Sequence, residues 1–160
     1  MQDYRLEPAR VVDAARLAAM SQRLVESGLR PAWGAQRISW YVRHPESVVL
    51  TARSDRTVAG FAIMRYGDDL AHLNLLAVDP AHRRRGIARR LVTWLEESAL
   101  TAGTFIIGLE LRAQNQEAQD FYHALGYHEV GRVPAYYQGI EAAIRMERDV
   151  RVSRPAAARS

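Results

Sequence analysis

The segment most able to do chemistry runs Leu75-Leu76-Ala77-Val78-Asp79-Pro80-Ala81-His82-Arg83-Arg84-Arg85-Gly86-Ile87-Ala88-Arg89-Arg90. An apolar strand enters a loop of three arginines, a glycine follows, and an amphipathic helix begins. A helix start presents unpaired main-chain N–H groups and a partial positive charge. Gly86 lets a ligand approach the backbone, Ala88 keeps the first turn uncrowded, and the arginines add positive field. The product is a cradle for a pyrophosphate. A solvated basic loop before an ordinary helix would use the same residues.

Two further candidates lie downstream. Glu110 stands on an apolar strand, with Ile107, Leu109 and Leu111 on one face and Gly108, Glu110 and Arg112 on the other. Gly108 is expected to leave room against that face. A carboxylate in a partly desolvated cleft is expected to have a raised pKa; an ion pair with Arg112 is the structural alternative. Tyr122 follows Asn115 by about two helical turns, so both point to one side. Its phenol could protonate a leaving thiolate or simply pack the helix. His72 is a rival base, since an imidazole titrates near about 6.5, although a strand histidine can equally well bond across a sheet. Trp33, Trp40, Tyr136 and Tyr137 are candidate walls of an acceptor cleft, although for the two tryptophans core packing is the expected role. Adjacent tyrosines on a strand face opposite ways, so one of the pair lines a surface or groove.

These residues need a scaffold. Around Tyr4–Leu6 a short first strand is predicted. Ala14, Leu17, Ala18, Leu24 and Val25 form a helical stripe behind Asp13, ended by Gly28 and Pro31. Gly34 to Arg43 is a second helix, stopped by Pro45. Strands at 47–53, 58–66 and 70–78, joined by tight turns, make an antiparallel meander. A helix from Ile87 to Gly103, a buried strand at 105–111, a helix at 115–125 and closing strands at 127–133 and 142–148 follow. The pattern is one α/β (α+β) domain over residues 1–150, with a basic Ala/Arg/Pro-rich tail at 151–160.

Composition narrows the chemistry. The 160 residues suit one domain, and 48% hydrophobic residues suffice for a packed core. Cysteine is absent, which removes disulfides, thiolate metal sites and a cysteine nucleophile. Lysine is absent too: every basic residue except histidine is arginine, so neither a Walker loop nor a Schiff-base lysine exists. His128-Glu129 opens like a zinc-protease motif, but Arg132 replaces the second histidine, and no metal is expected. The net charge of +4 fits an anionic ligand. The arginine cluster holds no interleaved aromatics, which argues against nucleic acid. No membrane span or signal-peptide pattern is evident, so a cytoplasmic protein, monomer or homodimer, is expected.

Arg83-x-x-Gly86-x-Ala88 resembles the Q/R-x-x-G-x-G/A signature of the GNAT family of N-acetyltransferases. Leu76-Ala77-Val78-Asp79-Pro80 before it looks like that family's fourth strand. Asn115-Gln116-Glu117-Ala118-Gln119-Asp120-Phe121-Tyr122-His123-Ala124-Leu125-Gly126-Tyr127 is similar to its N-x-x-A-x-x-F-Y-x-x-x-G-F segment. Leu109-Glu110-Leu111-Arg112-Ala113-Gln114-Asn115 resembles the L-E-V-R-x-x-N of the branch that acetylates protein N-termini, including ribosomal-protein alanine N-acetyltransferases. Residues 29–34 match no segment of that branch.

The resemblance implies a central mixed sheet of about seven strands flanked by about four helices. It implies acetyl-CoA as acetyl donor, held by Leu76, Ala77, Val78, Arg83, Arg84, Arg85, Gly86, Ile87, Ala88, Arg89 and Asn115. It further implies Glu110 as general base and Tyr122 as general acid, in direct transfer to a primary amine, with Trp33 and Tyr137 on the acceptor side. A second branch, including histone acetyltransferases, carries its base where His72 stands. The expected acceptor is the α-amine of a protein or peptide, with a small-molecule amine such as a polyamine, amino acid or antibiotic as the alternative. A non-catalytic acyl-CoA-binding module is a third reading, but it would need neither Glu110 nor Tyr122.

Overall fold

The computed structural model describes residues 3–139 and 141–153. Seven strands form one sheet in the order β1-β2-β3-β4-β5-β7-β6. They are β1 (Arg5–Pro8), β2 (Ser47–Ser54), β3 (Thr57–Tyr66), β4 (Leu70–Val78), β5 (Ile106–Arg112), β6 (His128–Tyr137) and β7 (Glu141–Asp149). The α-helices are α1 (Ala14–Leu24), α2 (Ala35–Arg43), α3 (Ile87–Ala102) and α4 (Gln116–Ala124). The predicted meander, crossover helix and closing hairpin are all present. The last seven residues of the predicted tail, 154–160, lie outside the described residues.

Local chemistry accounts for the helix ends. Gly103 at φ +80 closes α3 with its N–H on the Ala99 and Leu100 carbonyls, the left-handed turn that glycine adopts without a Cβ penalty. Asn115 caps α4 by accepting the Ala118 N–H at 3.0 Å. Asp13 precedes α1 but makes no side-chain cap. Its carboxylate instead accepts the Arg10 N–H and pairs with buried Arg53.

The sheet is covered on both faces. Leu91, Val92, Leu95 and Ala99 of α3 pack with Ala62, Met64, Ala71, Leu73, Ile107, Leu109 and Leu111. Leu17, Met20, Ile38 and Tyr41 of α1 and α2 pack with Val49, Phe61, Ile63, Leu75 and Ala77. Each fully buried Leu or Ile contributes about 1.5–3 kcal/mol over exposure, which is why the sheet's core strands read as apolar runs.

The pair that matters for function is β4 and β5. They run parallel and pair from Leu70↔Ile106 to Leu73↔Leu109, and no further. Beyond that point β4 continues against β3 while β5 continues against β7. The sheet therefore parts between Asn74–Val78 and Glu110–Arg112. At the parting β4 carries a bulge: Met64 faces Leu73 and Ile63 faces Leu75, leaving Asn74 as the extra residue. The bulge switches the faces of the strand. Ala71 and Leu73 belong to the α3 side, while Leu75 and Ala77 belong to the α1–α2 side.

Candidate active site

On one side of the parting lies the cradle. Asp79 leaves β4 and caps a single 3-10 turn by accepting the Ala81 N–H at 3.0 Å. Arg84 at φ +62 and Gly86 at φ +72 then bend the loop into the start of α3. The Gly86 carbonyl receives the first helical bond, from Arg90 at 3.0 Å. The N–H groups of Ile87, Ala88 and Arg89 have no carbonyl one turn back to receive them. A Cβ placed on Gly86 would meet nothing within 4 Å. The loop backbone is thus open on its outer side, as a pyrophosphate requires. Arg83, Arg84, Arg85 and Arg89 are exposed around it.

The loop is braced from the far end of the chain. The Tyr4 hydroxyl bonds to His82 Nδ1 at 2.8 Å and receives Arg85 Nη1 at 2.8 Å, and Arg90 donates to the Tyr4 carbonyl at 3.0 Å. Sequence reasoning missed Tyr4 because nothing local to an N-terminal tyrosine points to a loop some eighty positions away.

The edge of β4 supplies the next element. The Asp79 N–H bonds to Ala59 on β3 at 2.8 Å. Strand alternation then turns the Ala77 main chain toward β3 and those of Leu76 and Val78 toward the parting. Gly60 lets β3 come this close: a Cβ there would stand 2.8 Å from the Ala77 carbonyl oxygen.

Opposite, Glu110 is the first β5 residue past the last β4–β5 pair. Its carboxylate bonds to His72 Nε2 through one oxygen and approaches Arg145 Nε at 3.4 Å through the other. Arg112, the predicted structural partner, instead pairs with Glu141 at 3.2 Å. Burial alone would raise the Glu110 carboxyl. The hydrogen bond and charge of His72, with the charge and hydrogen bond of Arg145, outweigh it and hold the carboxyl below its ordinary 4.5. This corrects the raised value expected from the sequence, which took account of burial and not of an imidazole and a guanidinium reaching the carboxylate from other strands. Gly108 is corrected as well: the space a Cβ would need is filled by Leu70 Cδ1 at 2.9 Å, not left for a ligand.

Tyr122 projects from α4 into the α3-side cluster at 7% exposure, edge-on to Phe121 and Tyr127. Burial, with the neighbouring Tyr137 phenol, pushes its hydroxyl well up, so it keeps its proton. Tyr137 is likewise raised by burial, Tyr136 and Glu110. Tyr136 is exposed and Tyr137 half-buried, as their alternation requires. The Asn115 oxygen is engaged in the α4 cap.

Two loops are joined beside this region. Glu26 is buried, accepts from Ser21 and from the Trp33 N–H at 3.1 Å, and so fixes the α1–α2 loop. Trp33 is itself core: its indole packs on Tyr41 and beneath Arg37. It supports that loop rather than offering an open wall. Trp40 is exposed, stacked on His44 and beneath Arg65, which pairs across β3 and β4 with His72. The Arg30 N–H donates to Gln138 Oε1 at 2.9 Å and Gln138 Nε2 donates to the Arg30 carbonyl at 2.6 Å. The α1–α2 loop is thereby joined to the β6–β7 hairpin. One polar atom stands out at the parting: Asn74 Oδ1 is buried with no hydrogen-bond partner.

The arrangement of cradle, open strand edge, carboxylate–imidazole pair and protonated phenol has close relatives. The sequence is 39% identical to the ribosomal protein bS18-alanine N-acetyltransferase of Salmonella typhimurium over 100 residues, 61% of this chain and 68% of that protein. It is 31% identical over 142 residues to the N-alpha-acetyltransferase RimI of Mycobacterium tuberculosis, covering 86% of this chain and 87% of that one. The fold matches the crystal structure of the ribosomal-protein-S18-alanine N-acetyltransferase from Escherichia coli with a TM-score of 0.81 at 24% identity, over 98% of this chain and 100% of that one. The pattern of the Acetyltransferase (GNAT) family matches residues 16–127, which include most of α1, the meander, the cradle, Glu110 and Tyr122. The expected seven-strand sheet with four helices is the one observed, and the chain is an acetyltransferase of the GNAT family.

Proposed function

We propose that this enzyme acetylates the α-amine of a protein or peptide, with acetyl-CoA as donor. The observation that carries the reading is the His72–Glu110 pair at the parting of β4 and β5, with Tyr122 buried in the α3-side cluster. The donor supplies a thioester; the chain supplies everything else. The main chain of Arg84 to Arg89 holds the pyrophosphate. Glu110, through a water shared with His72, takes a proton from the acceptor ammonium. An N–H of Leu76 or Val78 receives the negative charge growing on the thioester oxygen. Tyr122 returns a proton to the departing thiolate.

A carboxylate held below its ordinary range is a weak base, and this favours an acceptor that ionises easily. At pH 7 roughly 10% of an α-amine of pKa about 8 is neutral, against roughly 0.04% of a lysine amine near 10.4. The difference is about 3 kcal/mol. Arg112 and Arg145 flank the two carboxylates of the groove, which disfavours a polycationic acceptor such as a polyamine. The joined loops favour an extended chain end over a bulky substrate.

The test is a side-by-side transfer assay. A peptide with a free N-terminus should be acetylated, while the same peptide N-terminally blocked and carrying an internal lysine, a polyamine and an aminoglycoside should react far more slowly. A preference for either small amine overturns the acceptor assignment and leaves the acetyltransferase chemistry standing.

A further inference from the structure

We infer that Arg65, seated on Trp40, selects the acceptor: its guanidinium receives an aspartate or glutamate carboxylate from the third or fourth residue of the chain whose α-amine is acetylated. The inference rests on the reading of this enzyme as one that acts on protein or peptide α-amines, and names a preference within that class.

The faces of the strands come first. Ile107, Leu109 and Leu111 of β5 and Ala71 and Leu73 of β4 belong to the α3-side cluster. Glu110 and His72 therefore stand on the opposite face, the one that carries α1 and α2. Arg65 of β3 is paired with His72 in the antiparallel ladder, and side chains opposite one another in such a pair share a face. Helix α2 meets Arg65 from above: the guanidinium lies 5.3 Å from the centre of the Trp40 ring, within the range of a cation–π contact. Glu110, His72, Arg65 and Trp40 thus make one line across three strands to a helix. Arg65 and Trp40 are exposed and His72 is half-exposed.

The cation in this line lacks a counter-charge. The residues opposite Arg65 are Ser47 on β2 and His72 on β4. Ser47 carries no charge, and His72 is bonded to Glu110. Among the described residues no carboxylate forms an ion pair with Arg65, whereas Arg112 and Arg145 on the same face each have one. A guanidinium ordered on an indole, with its N–H groups unclaimed, suits a two-point bond to a carboxylate.

Reach decides which acceptor residue supplies it. Neighbouring strands are about 4.8 Å apart, so Arg65 stands about 10 Å across the sheet from Glu110. An extended chain advances about 3.3 Å per residue. An acceptor with its amine at Glu110 therefore brings its third or fourth residue to Arg65. Other directions are occupied. Beyond Glu110, Arg112 donates to the Ser27 carbonyl at 2.8 Å and pairs with Glu141, tying the α1–α2 loop to the start of β7. Back along β5, Leu70 and Glu147 both lie over Gly108. The line over His72 to Arg65 carries neither obstruction.

The test uses peptides with one free N-terminus that differ only at the third and fourth residues, which are aspartate, asparagine or arginine. For the parent, kcat/KM should be about fivefold higher with aspartate than with asparagine, the size an exposed ion pair supplies, and the difference should lie in KM. In Arg65→Gln the acidic advantage should vanish, and in Arg65→Glu the preference should pass to the arginine peptide. In Trp40→Leu the advantage should shrink; an undiminished one would overturn the part given to the indole. Calorimetric titration with acetyl-CoA checks that each variant is folded. A parent without an acidic advantage, or an advantage that survives Arg65→Gln, overturns the inference. A parent that prefers the arginine peptide overturns it in favour of a path over Glu147. A parent that acetylates small amines and none of the peptides would instead overturn the reading of the acceptor class.

Discussion

At the scale of single residues, Glu110 and His72 act as one unit rather than as rival bases. Their hydrogen bond joins a 15% exposed carboxylate on β5 to a 38% exposed imidazole on β4. The carboxylate is anchored between the His72 imidazole and the Arg145 guanidinium; the imidazole is the more exposed of the pair. Glu110→Gln keeps the shape and removes the charge. Turnover on an N-terminal peptide should fall by roughly 10²-fold while acetyl-CoA still binds. His72→Asn should lose less. Raising the pH should partly restore Glu110→Gln, sooner for an α-amine than for a lysine amine, because more acceptor is then already neutral. A severe loss in His72→Asn beside normal activity in Glu110→Gln would reverse the roles. The pH dependence of stability has a definite sign. Because Glu110 is held below 4.5, its contribution is fully present above that value and is lost as pH falls through the folded-state value. In Glu110→Gln that component of acid sensitivity should be absent from a pH series of melting curves.

At the scale of elements, the loop between β4 and α3 is the part with the least freedom to change. Gly86 is left-handed and opens outward. In Gly86→Glu the φ of +72 costs about 1 kcal/mol, and the new carboxylate stands where a phosphate belongs. The protein should melt slightly lower, and acetyl-CoA binding should vanish from a calorimetric titration; retained affinity would sink the cradle assignment. This loop was readable in the sequence because a glycine, a basic run and an apolar stripe are local signals. The strand and helix order was readable for the same reason, since each period sits within its own segment. The parting of β4 from β5 was not. Leu70 to Val78 reads as one continuous strand, and only the placement of β5 and β7 reveals where its pairing stops. The Glu110 environment was also hidden, since His72 and Arg145 reach it from two other strands. Asn74 did carry a local signal, a polar residue between leucines on a buried strand, but its meaning depended on the bulge.

At the scale of the molecule, helix α3 is tied to strand β7 by a buried charge cluster. Glu96 on α3 and Arg148 on β7 pair at 2.9 Å, at 6% and 8% side-chain exposure. The Tyr127 hydroxyl, just after α4, donates to the same Glu96 at 3.0 Å. Arg148 also reaches the Val152 carbonyl at 2.8 Å. The crossover helix, the last helix and the final strand therefore meet at one carboxylate. Removing one partner strands a charge with little water to receive it. Glu96→Ala should cost about 3–5 kcal/mol in urea denaturation. Replacing both charges with apolar residues of similar volume, Glu96→Leu with Arg148→Met, should recover most of that loss, because no buried charge is left without a partner. Arg148 of the cluster and Arg145, which lies beside Glu110, stand on the same strand β7. The double variant should thus fold well yet show a shifted acceptor KM if the cluster also positions the groove. A double variant as unstable as Glu96→Ala would mean that the loss comes from packing around α3 and not from a stranded charge.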